Sequence, residues 1–226
     1  MGLKVIITGA TGMVGKGVLL ECLIRAEVTS VLVINRKPID IQHEKLTEIL
    51  HRDFFDLSSI EDQLMGYDAC FFCLGVSAFR MSEPDYSKIT YDLTLHFAET
   101  VLMKNPGIQF CYVSGQGTDS SENGRVMWAR VKGRIENKLL SMPFSNAFMF
   151  RPGFIQPMKG IKSSTKLYNA LYALFKPFYP ILKTIFPKQI TSSPQLGNAM
   201  INIVIYGYNK KYLINNDINL LAEKNK

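Results

Sequence analysis

Thr8-Gly9-Ala10-Thr11-Gly12-Met13-Val14-Gly15 follows a short β-branched run at residues 4–8 and opens a stretch, residues 14–25, whose apolar side chains recur at helical spacing. Three glycines three residues apart therefore stand between a strand and a helix. Glycine permits the tight turn, admits a close backbone approach, and lets helix pack on strand, while the free N–H groups at the helix start favour an anion. The setting, more than the glycines alone, predicts a dinucleotide-binding turn with Gly9, Thr11, Gly12, Met13, Val14 and Gly15 as cofactor contacts.

Asn35-Arg36-Lys37 closes the second apolar run, residues 30–35. An NAD-binding chain usually offers Asp or Glu here to the ribose hydroxyls. Arg36 and Lys37 offer two cations instead, which suits the 2′-phosphate of NADP, with NAD as the alternative.

Outward from this unit the alternation continues. Residues 45–52, 69–75, 108–114 and 146–151 read as further strands, and residues 86–104 and 126–141 as helices. The strand runs are apolar throughout, as expected of a parallel sheet covered on both faces. A single doubly wound α/β domain over residues 1–226, a Rossmann fold, is the predicted architecture. Residues 155–190 break the rhythm with prolines and aromatics before a helix at 194–206 and a strand-like 211–215. Within that insertion, residues 166–188 interleave lysines with aromatics, and two readings stay open: a lid over the substrate, or an interfacial segment on an anionic membrane.

The chain has 226 residues, 47% of them hydrophobic, enough for one substantial core. Net charge is +7 and unevenly spread. Residues 1–124 hold 10 Lys/Arg against 16 Asp/Glu, and residues 125–226 hold 16 against 3. The basic half suits an anionic partner, yet it contains no nucleic-acid recognition module, and no nucleic acid is expected. Cys22, Cys70, Cys73 and Cys111 lack a disulfide or zinc pattern, and the strand at 69–75 sends Cys70 and Cys73 to opposite faces. Lys4 is the sole early cation before the short run Val5-Ile6-Ile7, which argues against a secretory leader, and Ile6 breaks a myristoylation pattern. A cytoplasmic location is expected, with peripheral membrane contact through residues 166–188 as the alternative. No metal is expected, because His43, His51 and His96 lie apart without ligand spacing.

With these motifs in hand, residues 3–155 resemble the atypical and extended short-chain dehydrogenase/reductases, which include NAD-dependent epimerases and HIV Tat-interacting-protein-like proteins. The resemblance implies that Asp53 and Phe54 contact the adenine, that Cys73-Leu74-Gly75 flanks its ribose, and that Pro152-Gly153-Phe154 lies beside the nicotinamide. It also implies that Ser114, closing Tyr112-Val113-Ser114, orients a substrate oxygen, and that Lys132 is the lysine of Tyr-x-x-x-Lys, binding the nicotinamide ribose. Trp128 stands where that tyrosine is expected. Indole N–H cannot ionise to serve as the acid, so the cofactor half of the site is whole and the proton-transfer half is altered. Tyr86 and Tyr91 are candidate substitutes, and Asp119, Ser120, Ser121 and Glu122 form a polar loop at the mouth. The resulting expectation is an NADP(H)-binding oxidoreductase acting on a small carbonyl or sugar-like substrate. Its alternative is a non-catalytic redox sensor or scaffold.

Overall fold

A computed structural model describes residues 2–158 and 190–224. The insertion at 166–188 lies outside these residues. Seven parallel strands form one sheet in the order β3-β2-β1-β4-β5-β6-β9. They are β1 (Leu3–Thr8), β2 (Val28–Asn35), β3 (Leu46–Leu50), β4 (Ala69–Phe72), β5 (Gln109–Val113), β6 (Asn146–Arg151) and β9 (Tyr212–Ile214). A small parallel pair, β7 (Phe154–Gln156) with β8 (Ile190–Ser192), stands apart from it. The strand order reverses between β1 and β4, where Val5 pairs with Ala69 on one side and Val31 on the other. Such a switch point opens a crevice at the carboxyl ends of the strands.

The even, unalternating strands are explained by cover on both faces. One face carries α1 (Met13–Ile24), α5 (Ser193–Tyr206) and α6 (Asn215–Ala222), and its core joins Val5, Ile7 and Val31 to Leu196, Met200 and Ile218. The other carries α3 (Leu93–Lys104) and α4 (Met127–Ser141) over Ile6, Phe72, Phe97, Phe110 and Ile135. The paired thiols divide as expected, Cys70 in the second core and Cys73 against the first.

Local chemistry sets the ends. Ser192 and Gln195 form a reciprocal capping box at α5 with Pro194 in its first turn. The helix predicted from Tyr86 begins earlier, at α2 (Glu83–Ser87), because Ser82 caps it by accepting from the Asp85 N–H. A single π-turn, Lys88–Asp92, then joins it to α3. The fourth strand stops at Phe72 rather than running to Gly75, since the chain there turns against the glycine loop.

Candidate functional site

The glycine turn is built by close contact. Gly9 has φ +71°, and a β-carbon on it would come within 2.7 Å of the Cys73 carbonyl oxygen. A β-carbon on Gly15 would lie 2.2 Å from the Gly9 oxygen, so this residue is what lets α1 sit on the turn. Gly12 differs: it heads α1 without any side-chain cap, and only the Gly9 oxygen, at 3.3 Å, would meet a β-carbon there. The N–H groups at the helix start are thus aimed outward, unclaimed by a capping side chain.

Outside this turn lies a cleft of about 800 Å³. Gly9, Thr11 and Gly12 form one wall, Ile34 to Lys37 the next, Arg52 and Phe54 another, and Cys73 to Gly75 the last. Arg36, Lys37 and Arg52 are all exposed at its rim. His51 holds the third wall in place, its Nε2 lying 2.7 Å from the carbonyl oxygens of both Asp53 and Asp56. Asn35 braces the second by donating to Glu48 at 2.9 Å. Glycine walls, an uncapped helix start and three rim cations are suited to an anionic dinucleotide.

A second, charged cluster stands at the ends of β5 and β6. Lys132 donates from Nζ to the Ser114 carbonyl oxygen, and the Ser114 hydroxyl donates to Glu136, one helical turn beyond Lys132. Glu136 is fully buried and pairs with Arg151. Burial lowers the Lys132 ammonium to about 8, with Glu136 pulling it back upward. Trp128 packs its indole edge near Gly117, where a β-carbon would lie 3.5 Å away.

No family model matches the chain. Among curated proteins it is similar to Protein HTATIP2 of Rattus norvegicus, 29% identical over 155 residues, which are 67% of this chain and 62% of that protein. It is also similar to Protein FMP52, mitochondrial, of Debaryomyces hansenii, 25% identical over 203 residues, 88% of this chain and 85% of that one. The chain thus spans less than two thirds of the length of the rat relative and more of the yeast one. Among solved structures, a short chain dehydrogenase/reductase from Saccharomyces cerevisiae superposes with a TM-score of 0.68 at 14% identity, covering 98% of this chain and 99% of that one. A dTDP-glucose 4,6-dehydratase from Streptomyces venezuelae with NAD and TYD bound gives 0.67 at 13% identity, covering 94% and 75%. The chain thus has the Rossmann-type fold of the short-chain dehydrogenases/reductases and is similar in sequence to HTATIP2 and FMP52.

Within this dehydrogenase fold the cleft gathers Gly9, Thr11, Gly12, Arg36, Lys37, Phe54, Cys73, Leu74 and Gly75 of the residues named from sequence. Met13, Val14 and Gly15 lie behind the wall in α1, and Asp53 turns its carboxylate to its own loop, accepting from the Phe55 N–H at 2.9 Å. Pro152-Gly153-Phe154 is not among the walls of this cleft; the Pro152 carbonyl accepts from the Gln116 N–H at 2.9 Å and the Gly153 N–H donates to Asn215. Of the two candidate substitute tyrosines, Tyr86 is buried, and Tyr91 is partly buried with its ring under the Arg134 guanidinium, 4.5 Å from the ring centroid. The Asp119 loop is tied to α4, Asp119 donating its N–H to the Ala129 carbonyl and Ser120 reaching Arg151. Sequence reading missed Arg52 as a rim cation and Glu136 and Arg151 as a buried pair. The basic Arg-Asp dipeptide was a usable signal for the first, and the Lys-x-x-x-Glu spacing of α4 for the second. Among the described residues no three His, Cys, Asp or Glu side chains gather as a metal site, and no helix is long and apolar enough to cross a membrane.

Proposed function

We propose that this chain binds NADP(H) in the cleft and serves as an oxidoreductase on a small carbonyl or sugar-like substrate. The observation that carries the cofactor half is the rim of Arg36, Lys37 and Arg52 around the Gly9–Gly12 turn, with no acidic side chain among the cleft walls. The two arginines are able to clamp a 2′-phosphate bidentately, and Lys37 adds a point charge. The nicotinamide would supply or accept a hydride when bound. Glycine at position 12 leaves room for the pyrophosphate, α1 meets it with free N–H groups, and Phe54, buried against Phe97 at 6.0 Å, backs the adenine end. Lys132 presents a desolvated ammonium beside Ser114, and it is the group left to hold a proton there once Trp128 has displaced the tyrosine.

The second reading, a non-catalytic NADP(H) sensor or scaffold, is favoured by that same displacement. Trp128 is packed on Gly117, Tyr86 is sealed in the core, and the Ser114 hydroxyl is already engaged. Turnover separates the readings. A cytoplasmic location is part of the proposal, and cell fractionation decides it against the mitochondrial location that the names of the fungal relatives carry.

Calorimetric titration tests the cofactor assignment. NADPH binds more tightly than NADH, and Arg36→Ala weakens NADPH by ~1.5–3 kcal/mol while leaving NADH nearly unchanged, as for loss of a charge-assisted hydrogen bond. Equal affinities for the two cofactors in the native chain refute it.

A further inference from the structure

Arg36 and Lys37 leave the end of β2, and Arg52 leaves the end of β3. The two strands are neighbours in parallel register, Asn35 opposite Leu50, and the His51 N–H donates to the Asn35 carbonyl at 2.8 Å, so the three side chains start from adjoining walls of one cleft. All three are exposed, and among the described residues none of them makes an ion pair or a side-chain hydrogen bond. Each keeps the full reach of its stem. Three like charges without a counter-charge repel one another until an anion arrives.

Telling a 2′-phosphate from a 3′-phosphate takes more than cations. The two positions are neighbouring carbons of one ribose, so the phosphates they carry differ by less than the swing of a lysine or arginine side chain. Selection between them requires a fixed group that accepts from the unphosphorylated hydroxyl and repels a phosphate there, the part a carboxylate plays when it binds ribose hydroxyls. No carboxylate stands among the cleft walls. Glu48 is engaged by the Asn35 amide at 2.9 Å, and Asp53 accepts from the Phe55 N–H within its own loop. The rim therefore reads the presence of a phosphate on the ribose and not its position. Nothing at the glycine turn restores the distinction, because Gly9, Gly12 and the uncapped start of α1 offer backbone N–H groups to a 5′-diphosphate whatever is attached beyond it.

Resting on the reading of this cleft as the NADP(H) site, we propose that it also takes adenosine 5′-diphosphates carrying a 3′-phosphate, the head group of coenzyme A and its thioesters, and that these ligands compete with NADP(H). Arg52 is the residue that widens the rim. With Arg36 and Lys37 on one wall and Arg52 on the next, a phosphate on either ribose carbon meets a guanidinium fork.

Calorimetry on the full chain compares adenosine 2′,5′-bisphosphate, adenosine 3′,5′-bisphosphate and adenosine 5′-monophosphate. Both bisphosphates are expected to bind at least about tenfold more tightly than the monophosphate, the lower end of one charge-assisted contact, and to differ from each other by less than about tenfold. Coenzyme A is expected to displace NADPH, followed by the fluorescence of the reduced nicotinamide, and dephospho-coenzyme A, which lacks only the 3′-phosphate, to require at least about tenfold more. Arg52→Ala weakens both bisphosphates, whereas Lys138→Ala, an exposed cation of α4 outside the cleft, leaves them unchanged. Equal effects of the two substitutions mark general attraction to a basic chain and overturn the proposal, as does coenzyme A that competes no better than its dephospho form. A larger preference for either bisphosphate also overturns it, and a preference for the 2′ isomer does so while leaving the NADP(H) reading in place. No advantage of either bisphosphate over the monophosphate overturns both.

Discussion

Lys132 carries a charge that burial disfavours, which is why its ammonium titrates near 8 instead of the ordinary 10.5. Below pH 8 both folded and unfolded chains hold this proton, and the full desolvation cost weighs on the native state. Between pH 8 and 10.5 the unfolded chain holds it more tightly, so stability contributed by this residue rises with pH across that window. Urea unfolding at pH 7 to 10 is expected to show the native chain gaining on Lys132→Met by up to roughly 1.4 kcal/mol per pH unit in the steep region. A constant difference between the two would contradict the burial described. Trp128 gives the second expectation at this scale. With no positioned tyrosine acid, NADPH-dependent reduction of aldehydes, ketones and quinones should be slow, and Trp128→Tyr should raise it toward the 10²–10⁴-fold range of a general acid, about what such a group contributes. Rapid turnover by the native chain that survives Lys132→Ala would remove this cluster from the chemistry. Single residues were the least legible level of the sequence. Trp128 and Lys132 could be read from their spacing, but Glu136 and Arg151 are fifteen residues apart and meet only because β6 ends beside α4.

Elements were legible wherever their own residues decide them. The buried strands of the sheet are apolar runs, and α1, α3 and α4 carry helical spacing, so all appear near their expected places. The misses depend on distant partners. β7 is three residues long and exists because Phe154–Gln156 meets Ile190–Ser192, and α6 follows β9 with a first turn of Asn and Asp that shows little periodicity. The π-turn at Lys88–Asp92 likewise leaves no mark in a helical pattern. The glycines of the nucleotide turn look alike in sequence and part in the structure. Gly15→Ala drives a β-carbon into the Gly9 carbonyl and should destabilise by about 1–3 kcal/mol, the cost of overpacking a rigid contact. Gly12→Val has only a 3.3 Å neighbour to displace and should stay folded while losing NADPH. Thermal unfolding and a binding titration on both variants distinguish the two roles, and the reverse pattern would reassign them.

For the whole molecule, a cofactor that binds only the folded chain must raise its unfolding temperature. NADPH at a hundred times its dissociation constant adds about 2.7 kcal/mol, or roughly 5–10 °C for a chain of this size. NADH at the same concentration should add less, and equal shifts would tell against the Arg36, Lys37 and Arg52 rim. The two cores also differ in where along the chain they come from. The face under α3 and α4 draws its buried residues from Ile6 to Met149, while the face under α1 joins Val5 through Val33 to Leu196 through Leu221. Synthesis therefore finishes the two faces at different moments. Among the described residues the buried side of the first is complete once about two thirds of the chain has been made, whereas α1, whose opening turn would meet the phosphates of the proposed cofactor, stays half uncovered until α5 emerges. A nascent or proteolytically shortened chain lacking residues 193–222 would keep every cleft residue and still hold its phosphate-facing helix loosely, so cofactor retention doubles as a check that translation has reached the far side of the fold.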